Sequence, residues 1–201
     1  MKNKYIAEFV GTFALSFVVL AAVSQILPLP ISIPVIAGLT LGLFVYSIGG
    51  VSGAHINPAV TIGLWSIKKI TNRDAVGYLI AQIFAAAVAI VLARTLGMPT
   101  PAPVNGVFVS SLFFAEALGA FFFAFGIAAV VYGRAKEQMS GVVVGGSLTL
   151  GILMATFAGS AGILNPAVAF ALNAVSIMYV FGPIFGAVVG FHAYRYITNQ
   201  A

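Results

Sequence analysis

A series of long apolar stretches, separated by short polar ones, limits most strongly what this chain can fold into. Six of them have about the 20 residues that a helix needs to cross a bilayer, at 5–26, 31–50, 75–96, 107–132, 141–158 and 177–197. Charged residues make up 6% of the 201 residues, against about 25% in soluble domains, so a water-facing surface of ordinary size could not be covered. The sequence predicts an all-α membrane protein with six transmembrane helices in one domain, residues 1–201.

Two further apolar segments, at 57–67 and 165–174, are too short to cross a membrane. At 1.5 Å per residue each would be about 15 Å long as a helix, half of a bilayer core of about 30 Å. We therefore predict two re-entrant half-helices, each of which enters the membrane and leaves it on the same side.

With six spans, nearly all of the basic residues fall on the same side of the membrane. Only Arg94 falls on one side, and the others fall on the opposite side: Lys2, Lys4, Lys68, Lys69, Arg73, Arg134, Lys136 and Arg195. The positive-inside rule predicts a multi-pass protein of the cell membrane with both termini in the cytoplasm. The net charge of +5 is spread along an apolar chain and predicts no nucleic-acid-binding patch.

The two halves of the chain resemble each other. Glu8 and Glu116 are 108 positions apart, and so are Asn57 and Asn165. This predicts a repeat of about 1–100 and a second of about 107–201. Each repeat holds three spans, an odd number, so the second copy is inverted in the bilayer, an arrangement that places half-helix ends near the midplane.

Both half-helices begin with the same three residues. Asn is a preferred N-cap, and Pro fits the first helical position, where its missing N–H costs nothing. A lone Asn-Pro-Ala would mean only that a helix starts there. Two copies, each opening a half-length helix, predict that the helix N-termini meet near the membrane centre and form a pore from Asn57, Pro58, Ala59, Asn165, Pro166 and Ala167.

The segment 52–61, Ser-Gly-Ala-His-Ile-Asn-Pro-Ala-Val-Thr, resembles the first pore loop of the aquaporin and aquaglyceroporin (major intrinsic protein) family. Segments 7–12 and 78–82 resemble that family's first and third helices. The stretch with Gly182, Pro183, Gly186 and Ala187 resembles its sixth helix. The resemblance covers nearly the whole chain. It implies an aquaporin-like fold, a passive channel for water or small uncharged solutes, and usually a homotetramer with one pore per subunit.

A mechanism follows for such a pore. Each helix N-terminus carries about half a positive charge, so two that meet at the midplane oppose the passage of cations. The amides of Asn57 and Asn165 donate hydrogen bonds to water in single file, and apolar walls offer it no other partner. The remaining selection rests on the diameter and the polarity of the pore lining.

The resemblance places the selectivity filter of the pore at Ala37, Leu153, Gly162 and Val168. Most family members have Arg at the position of Val168, so we predict a wider, uncharged and apolar constriction. Such a filter fits glycerol, urea, ammonia or dissolved gases at least as well as water. Yet glycerol-type members usually have Asp where this chain has Ala169, whereas Tyr179 favours the water type, so the solute stays open.

Two acidic residues lie within predicted spans. Glu8 and Glu116 could transport protons, since ionisable groups in a membrane are usually functional or internally paired; the resemblance favours a role in bracing the re-entrant loops. For His55, a packing and hydrogen-bonding role beside the pore is favoured over metal binding. His192 could be a pH gate, although a simple position on a helix face is favoured.

Three other functions compete with a passive channel. A proton-coupled transporter would use Glu8 and Glu116, and a structural membrane protein would have a closed pore. An enzyme is least favoured because no Cys, two His and four acidic residues assemble no plausible triad or metal cluster. We predict no catalytic residue, metal or cofactor.

Overall fold

The computed structural model describes residues 3–24, 31–104 and 107–200. Lys2 and the predicted end of the first span at Ile26 lie outside the described residues. Within the described ranges the chain forms helices α1 (Asn3–Val23), α2 (Ile33–Ser52), α3 (Pro58–Ser66), α4 (Asn72–Thr95), α5 (Ser110–Val131), α6 (Ser140–Phe157), α7 (Pro166–Ala171) and α8 (Ile177–Ile197). A 3-10 turn at Glu137–Met139 leads into α6.

Six of these helices are long and apolar enough to cross a membrane: α1, α2, α4, α5, α6 together with its 3-10 turn, and α8. They coincide with the six predicted spans, which confirms the predicted fold class. The order of two long helices, one short helix and one long helix occurs twice along the chain.

The two short helices, α3 and α7, begin at their Asn-Pro pairs for the predicted reason. The Asn57 side chain caps α3 by accepting a hydrogen bond from the Ala59 N–H over 2.8 Å, and Asn165 caps α7 through the Ala167 N–H over 3.0 Å. In each case proline occupies the first turn of the helix, where no backbone donor is needed.

Helix α7 is shorter than the predicted segment 165–174. It ends at Ala171 because Asn173 takes a left-handed conformation, with φ of 58°. The Ala174 N–H then bonds the carbonyl of Ala169 over 2.8 Å, as in the usual C-terminal capping motif. The apolar pattern continues past this cap, so hydropathy alone overestimated the length of the helix.

The long helices pack in four principal pairs, α5 with α8, α5 with α6, α2 with α6, and α1 with α4. Glycine allows the backbones of the third pair to approach closely. A Cβ atom at Gly42 of α2 would lie 2.7 Å from the carbonyl oxygen of Gly141 of α6, closer than a side chain permits. Such close contacts are how helices gain dispersion energy in lipid.

Candidate pore

The loops that lead into α3 and α7 are joined by a reciprocal pair of hydrogen bonds. Asn57 Nδ2 donates to the Leu164 carbonyl over 2.9 Å, and Asn165 Nδ2 donates to the Ile56 carbonyl over 2.9 Å. Both asparagines are 2% exposed. An amide nitrogen carries two hydrogens, so each asparagine keeps a second N–H after this bond is made.

Glu8 of α1 holds the first of these loops. Its carboxylate accepts hydrogen bonds from the Ser52 hydroxyl at 2.7 Å, the His55 N–H at 2.9 Å, the Ile56 N–H at 2.7 Å and the Gln82 amide at 2.8 Å. The N–H groups of His55 and Ile56 are therefore both paired, as backbone donors inside a membrane need to be.

Glu116 of α5 holds the second loop in the same way. It accepts from the Ser160 hydroxyl at 2.5 Å, the Ile163 N–H at 3.0 Å and the Leu164 N–H at 2.7 Å. The sequence separations of these contacts, 44, 47 and 48 residues, are the same as in the first loop. Among the described residues, no side chain gives Glu116 the fourth bond that Gln82 gives Glu8.

His55 belongs to a small buried network beside α3. Its Nδ1 lies 3.1 Å from the Thr61 hydroxyl, to which the Gln82 amide donates over 3.0 Å. The Tyr78 ring meets the imidazole edge-on at 4.9 Å between centroids, and the Tyr78 hydroxyl donates to the Ser52 carbonyl over 2.7 Å. In residues 3–24, 31–104 and 107–200, no group of three or more His, Cys, Asp or Glu is arranged to hold a metal ion.

Sequence analysis missed several of these bracing residues. Ser52 and Ser160 are 108 positions apart, the same offset as the two glutamates, so a full search of the repeat would have found them. Thr61 and Gln82 gave no such signal, because neither has a matching side chain in the second half.

Two cavities lie on either side of the crossed loops. One, about 380 Å³, borders the segment 97–104, and we call it the loop-side cavity; Asn165 lines it. The other, about 410 Å³, is bordered by Lys69 and Asp74, and we call it the terminus-side cavity, since Lys4 near the N-terminus bonds Asp74 over 2.6 Å. Leu41 lines the terminus-side cavity and Leu148 the loop-side cavity, and both are almost fully buried.

The structure brings three of the four predicted filter residues together. Ala37, Gly162 and Val168 all line the loop-side cavity. Leu153 does not; it lies on another face of α6, in an open groove between α2 and α6, and Ile152 lines the cavity instead. Successive side chains of a helix are rotated by about 100° about its axis. An alignment that is wrong by one position therefore assigns the filter role to a side chain on another face of α6.

Charged groups are distributed unequally between the cavities. Within the described part of the chain, the lining of the loop-side cavity contains no Lys, Arg, His, Asp or Glu, and its polar side chains are Thr156, Asn165 and Tyr179. The terminus-side cavity has His55, Lys69 and Asp74 in its wall. Neither Glu8 nor Glu116 is among the described residues that line either cavity.

Six membrane-length helices around two half-helices that meet head to head between two cavities define a membrane channel. Residues 1–196 match the family model described as "Major intrinsic protein", and the chain belongs to that family, as its resemblance predicted. It is a passive channel for water or small solutes.

Curated relatives include both water and glycerol channels by name. The chain is 34% identical to Aquaporin AqpM of Methanothermobacter thermautotrophicus, over 100% of this chain and 99% of that protein. It is 36% identical to Glycerol uptake facilitator protein-like 6 of Lactiplantibacillus plantarum, over 82% of this chain and 80% of that protein. The solved aquaglyceroporin of Plasmodium falciparum is similar in fold, with a TM-score of 0.78 and 24% identity over 97% of this chain and 96% of that one.

Proposed function

We propose that this channel conducts water together with small neutral solutes of the glycerol and urea class, in single file, and that it excludes ions. The uncharged, largely aliphatic lining of the loop-side cavity at Ala37, Ile152, Gly162 and Val168 carries this proposal. Moving a small neutral solute from water into such an uncharged, aliphatic section costs little free energy. A narrow, charged filter would exclude the same solute. The similarity to a protein named for glycerol uptake is consistent with this class.

Ion exclusion on this proposal rests on the crossed loops, since valine occupies the filter position at which the family resemblance implies arginine. The N-termini of α3 and α7 face each other there, and their partial positive charges oppose cations. The aliphatic walls cannot replace the hydration shell of an ion of either sign, and an uncompensated charge in such surroundings is very costly. The free N–H groups of Asn57 and Asn165 offer a neutral solute two donors at the same point.

Two competing functions fit the contacts less well. A proton-coupled transporter would need Glu8 or Glu116 exposed to the permeation path, but each carboxylate is fully buried and accepts bonds from loop donors. A closed structural protein would not require cavities that approach Asn165 from one side and Val60 of α3 from the other. We assign no enzymatic activity, metal or cofactor to the chain.

The test is stopped-flow light scattering on proteoliposomes, which compares osmotic water flux with the uptake of glycerol and urea. Val168→Arg restores a cationic filter, and Val168→Met adds bulk without charge. We expect the wild type to pass all three solutes, and Val168→Arg to suppress glycerol and urea more than water. A wild type that passes water alone would contradict the proposed solute class. A pH-sensitive dye inside the vesicles reports any proton leak, which we expect to stay at the level of empty vesicles.

We also propose that both termini face the cytoplasm across the cell membrane. Lys69 lies in the wall of the terminus-side cavity, and Lys4 bonds Asp74 of the same wall. Lys68 and Arg73 are their neighbours in the chain, and this placement fits the positive-inside rule. Because the chain contains no cysteine, single Thr100→Cys and Gln200→Cys variants can be labelled in whole cells with a membrane-impermeant maleimide. Labelling of Thr100→Cys alone is the expected outcome; labelling of Gln200→Cys alone would reverse the orientation.

We propose a homotetramer as the assembled state, as the family resemblance implies. The apolar groove between α2 and α6 is the surface that supports it. Leu39 and Leu43 on this face are 63% and 65% exposed in the single chain. Native mass spectrometry from mild detergent should give a species of four chains, and Leu39→Trp should shift it toward monomer. A wild-type monomer that still conducts water would contradict the proposal.

A further inference from the structure

The segment 99–104 has a sequence that makes it stiff. Proline occupies positions 99, 101 and 103, and each proline fixes its own φ and disfavours the helical region for the residue before it. The alternation therefore holds the segment in an extended, polyproline-like form, about 19 Å long at about 3.1 Å per residue. We call these six residues the proline strap.

Both halves of the proline strap are tied to the helical bundle. Near its start, the Pro99 carbonyl accepts a hydrogen bond from the Ser24 hydroxyl, at the end of α1, over 2.9 Å. Further along, the Pro101 carbonyl accepts from Asn173 Nδ2 over 3.4 Å, and the Val104 N–H donates to the Asn173 carbonyl over 3.3 Å. The strap thus runs from the end of α1 to the end of α7.

The attachments at the two ends differ in the number and the length of their hydrogen bonds. The Ser24 hydroxyl is also 2.8 Å from the Leu20 carbonyl, and a hydroxyl has one hydrogen to donate, so it serves one acceptor at a time. Asn173 contacts the strap through both its side chain and its backbone carbonyl. Asn173 therefore makes two contacts with the strap, of 3.4 and 3.3 Å, against one shared contact of 2.9 Å from Ser24. Asn173 follows Val168 of the proposed filter by five positions.

The proline strap forms part of the wall of the pore. Pro101, Ala102 and Val104 line the same loop-side cavity as Ala37 and Val168. Among the described residues, the other walls are helices and the loop that Glu116 holds through buried hydrogen bonds. Three of the four residues of the proposed filter are small, namely Ala37, Gly162 and Val168. The strap is the one wall of this cavity whose position depends, in the described residues, on a few surface hydrogen bonds.

We infer that the proline strap sets the largest solute that can enter the pore and that Asn173 is the residue that positions it. The inference rests on the proposed function in one respect, namely that neutral solutes larger than water reach this cavity. A stiff strap held at Asn173 gives the entrance a fixed width. The entrance can then limit the size of the solute where the uncharged residues of the filter leave the pore wide. Loosening the strap therefore admits larger solutes without changing the narrow section at Asn57 and Asn165.

The experiment uses the full chain in proteoliposomes and a series of neutral probes: urea, glycerol, erythritol and xylitol. Asn173→Gly removes the side-chain bond but keeps the left-handed conformation, which glycine adopts freely. A second variant, Pro101→Ala with Pro103→Ala, leaves Asn173 intact and removes the stiffness of the strap. Asn199→Gly is the matched control, because Asn199 is also left-handed, with φ of 52°, and lies near the C-terminus, far from the strap along the chain.

We expect erythritol uptake relative to water flux to rise several-fold in both strap variants. Asn199→Gly should leave every ratio unchanged. Wild-type ratios in both folded strap variants would overturn the inference. If the wild type excludes glycerol but the strap variants admit it, the proposed solute class fails and the inference stands. If the wild type conducts glycerol and the strap variants keep the same size limit, only the inference fails.

Discussion

Asn57 and Leu164 lie on opposite halves of the chain, and a hydrogen bond of 2.9 Å from the amide of the first to the carbonyl of the second joins the two re-entrant loops. The bond is one of a reciprocal pair, since Asn165 makes the same contact with Ile56. Each asparagine therefore makes two kinds of contact, since its oxygen caps its own half-helix and one N–H bonds the opposite loop. On the proposed function the other N–H is a third contribution, a donor to the solute.

Replacing Asn57 by alanine should remove all three contributions at once. Loss of an N-cap costs about 0.5–2 kcal/mol, and the Leu164 carbonyl is left without this donor. We expect a lower melting temperature in detergent and a lower water flux per folded channel, with Gln138→Ala on the exposed 3-10 turn as the control. Circular dichroism and stopped-flow scattering measure the two effects. Unchanged stability would mean that the crossed bonds contribute little.

Glu8→Gln and Glu116→Gln test the bracing contacts. Glutamine keeps the size of the side chain but places an N–H₂ group against backbone donors that need an acceptor, and a buried unsatisfied group costs about 1–3 kcal/mol. We expect both variants to be destabilised, and Glu8→Gln more, because Glu8 accepts four hydrogen bonds and Glu116 three.

The same two variants separate bracing from proton transport. In a proton-coupled transporter, neutral glutamine would abolish pH-driven accumulation while the fold survived. In a braced channel, stability falls and no pH-driven accumulation exists in the wild type to be lost. Thermal unfolding and uptake against a pH gradient, measured on the same preparations, distinguish the two.

Ile152 and Leu153 are neighbours on α6 that should differ in their effect on solute passage. Ile152 lines the loop-side cavity, whereas Leu153 lies in the groove between α2 and α6. We expect Ile152→Ala to raise glycerol uptake relative to water, because it widens the cavity, and Leu153→Ala to leave that ratio unchanged. The reverse result would restore Leu153 to the filter.

The same pair marks where sequence reasoning reached its limit. Hydropathy located the six spans because membrane crossing demands about 20 apolar residues, and the Asn-Pro pairs located the half-helix starts because capping chemistry is local. Which face of α6 meets the pore depends on helix rotation within the bundle. Every residue of α6 near 152 is apolar or small. The sequence therefore contains no polar stripe from which the orientation of this helix could be predicted.

For the bracing contacts, the sequence predicted the two carboxylates but not the groups that bond to them. A carboxylate in a span needs partners, so a role for Glu8 and Glu116 followed from their cost in lipid. Their main partners are backbone N–H groups, which every residue carries and no sequence pattern identifies. The two halves differ in that Gln82 of α4 bonds Glu8, whereas no side chain among the described residues makes the equivalent bond to Glu116. Helix α8, which follows the second half-helix as α4 follows the first, contains no Asn or Gln.

Two glycines should respond in opposite directions to alanine. At Gly190 of α8 an added Cβ would lie 2.5 Å from the Phe121 carbonyl oxygen and 3.1 Å from the Ala124 side chain, and the backbone of α5 cannot move aside without loss of packing. At Gly146 of α6 an added Cβ meets nothing within 4 Å. We expect Gly190→Ala to destabilise the fold by about 1–3 kcal/mol, as overpacking does. Gly146→Ala should stabilise it by about 0.5–1 kcal/mol through helix propensity. Unfolding in mixed micelles measures both, and two changes of the same sign would contradict the close packing of α5 against α8.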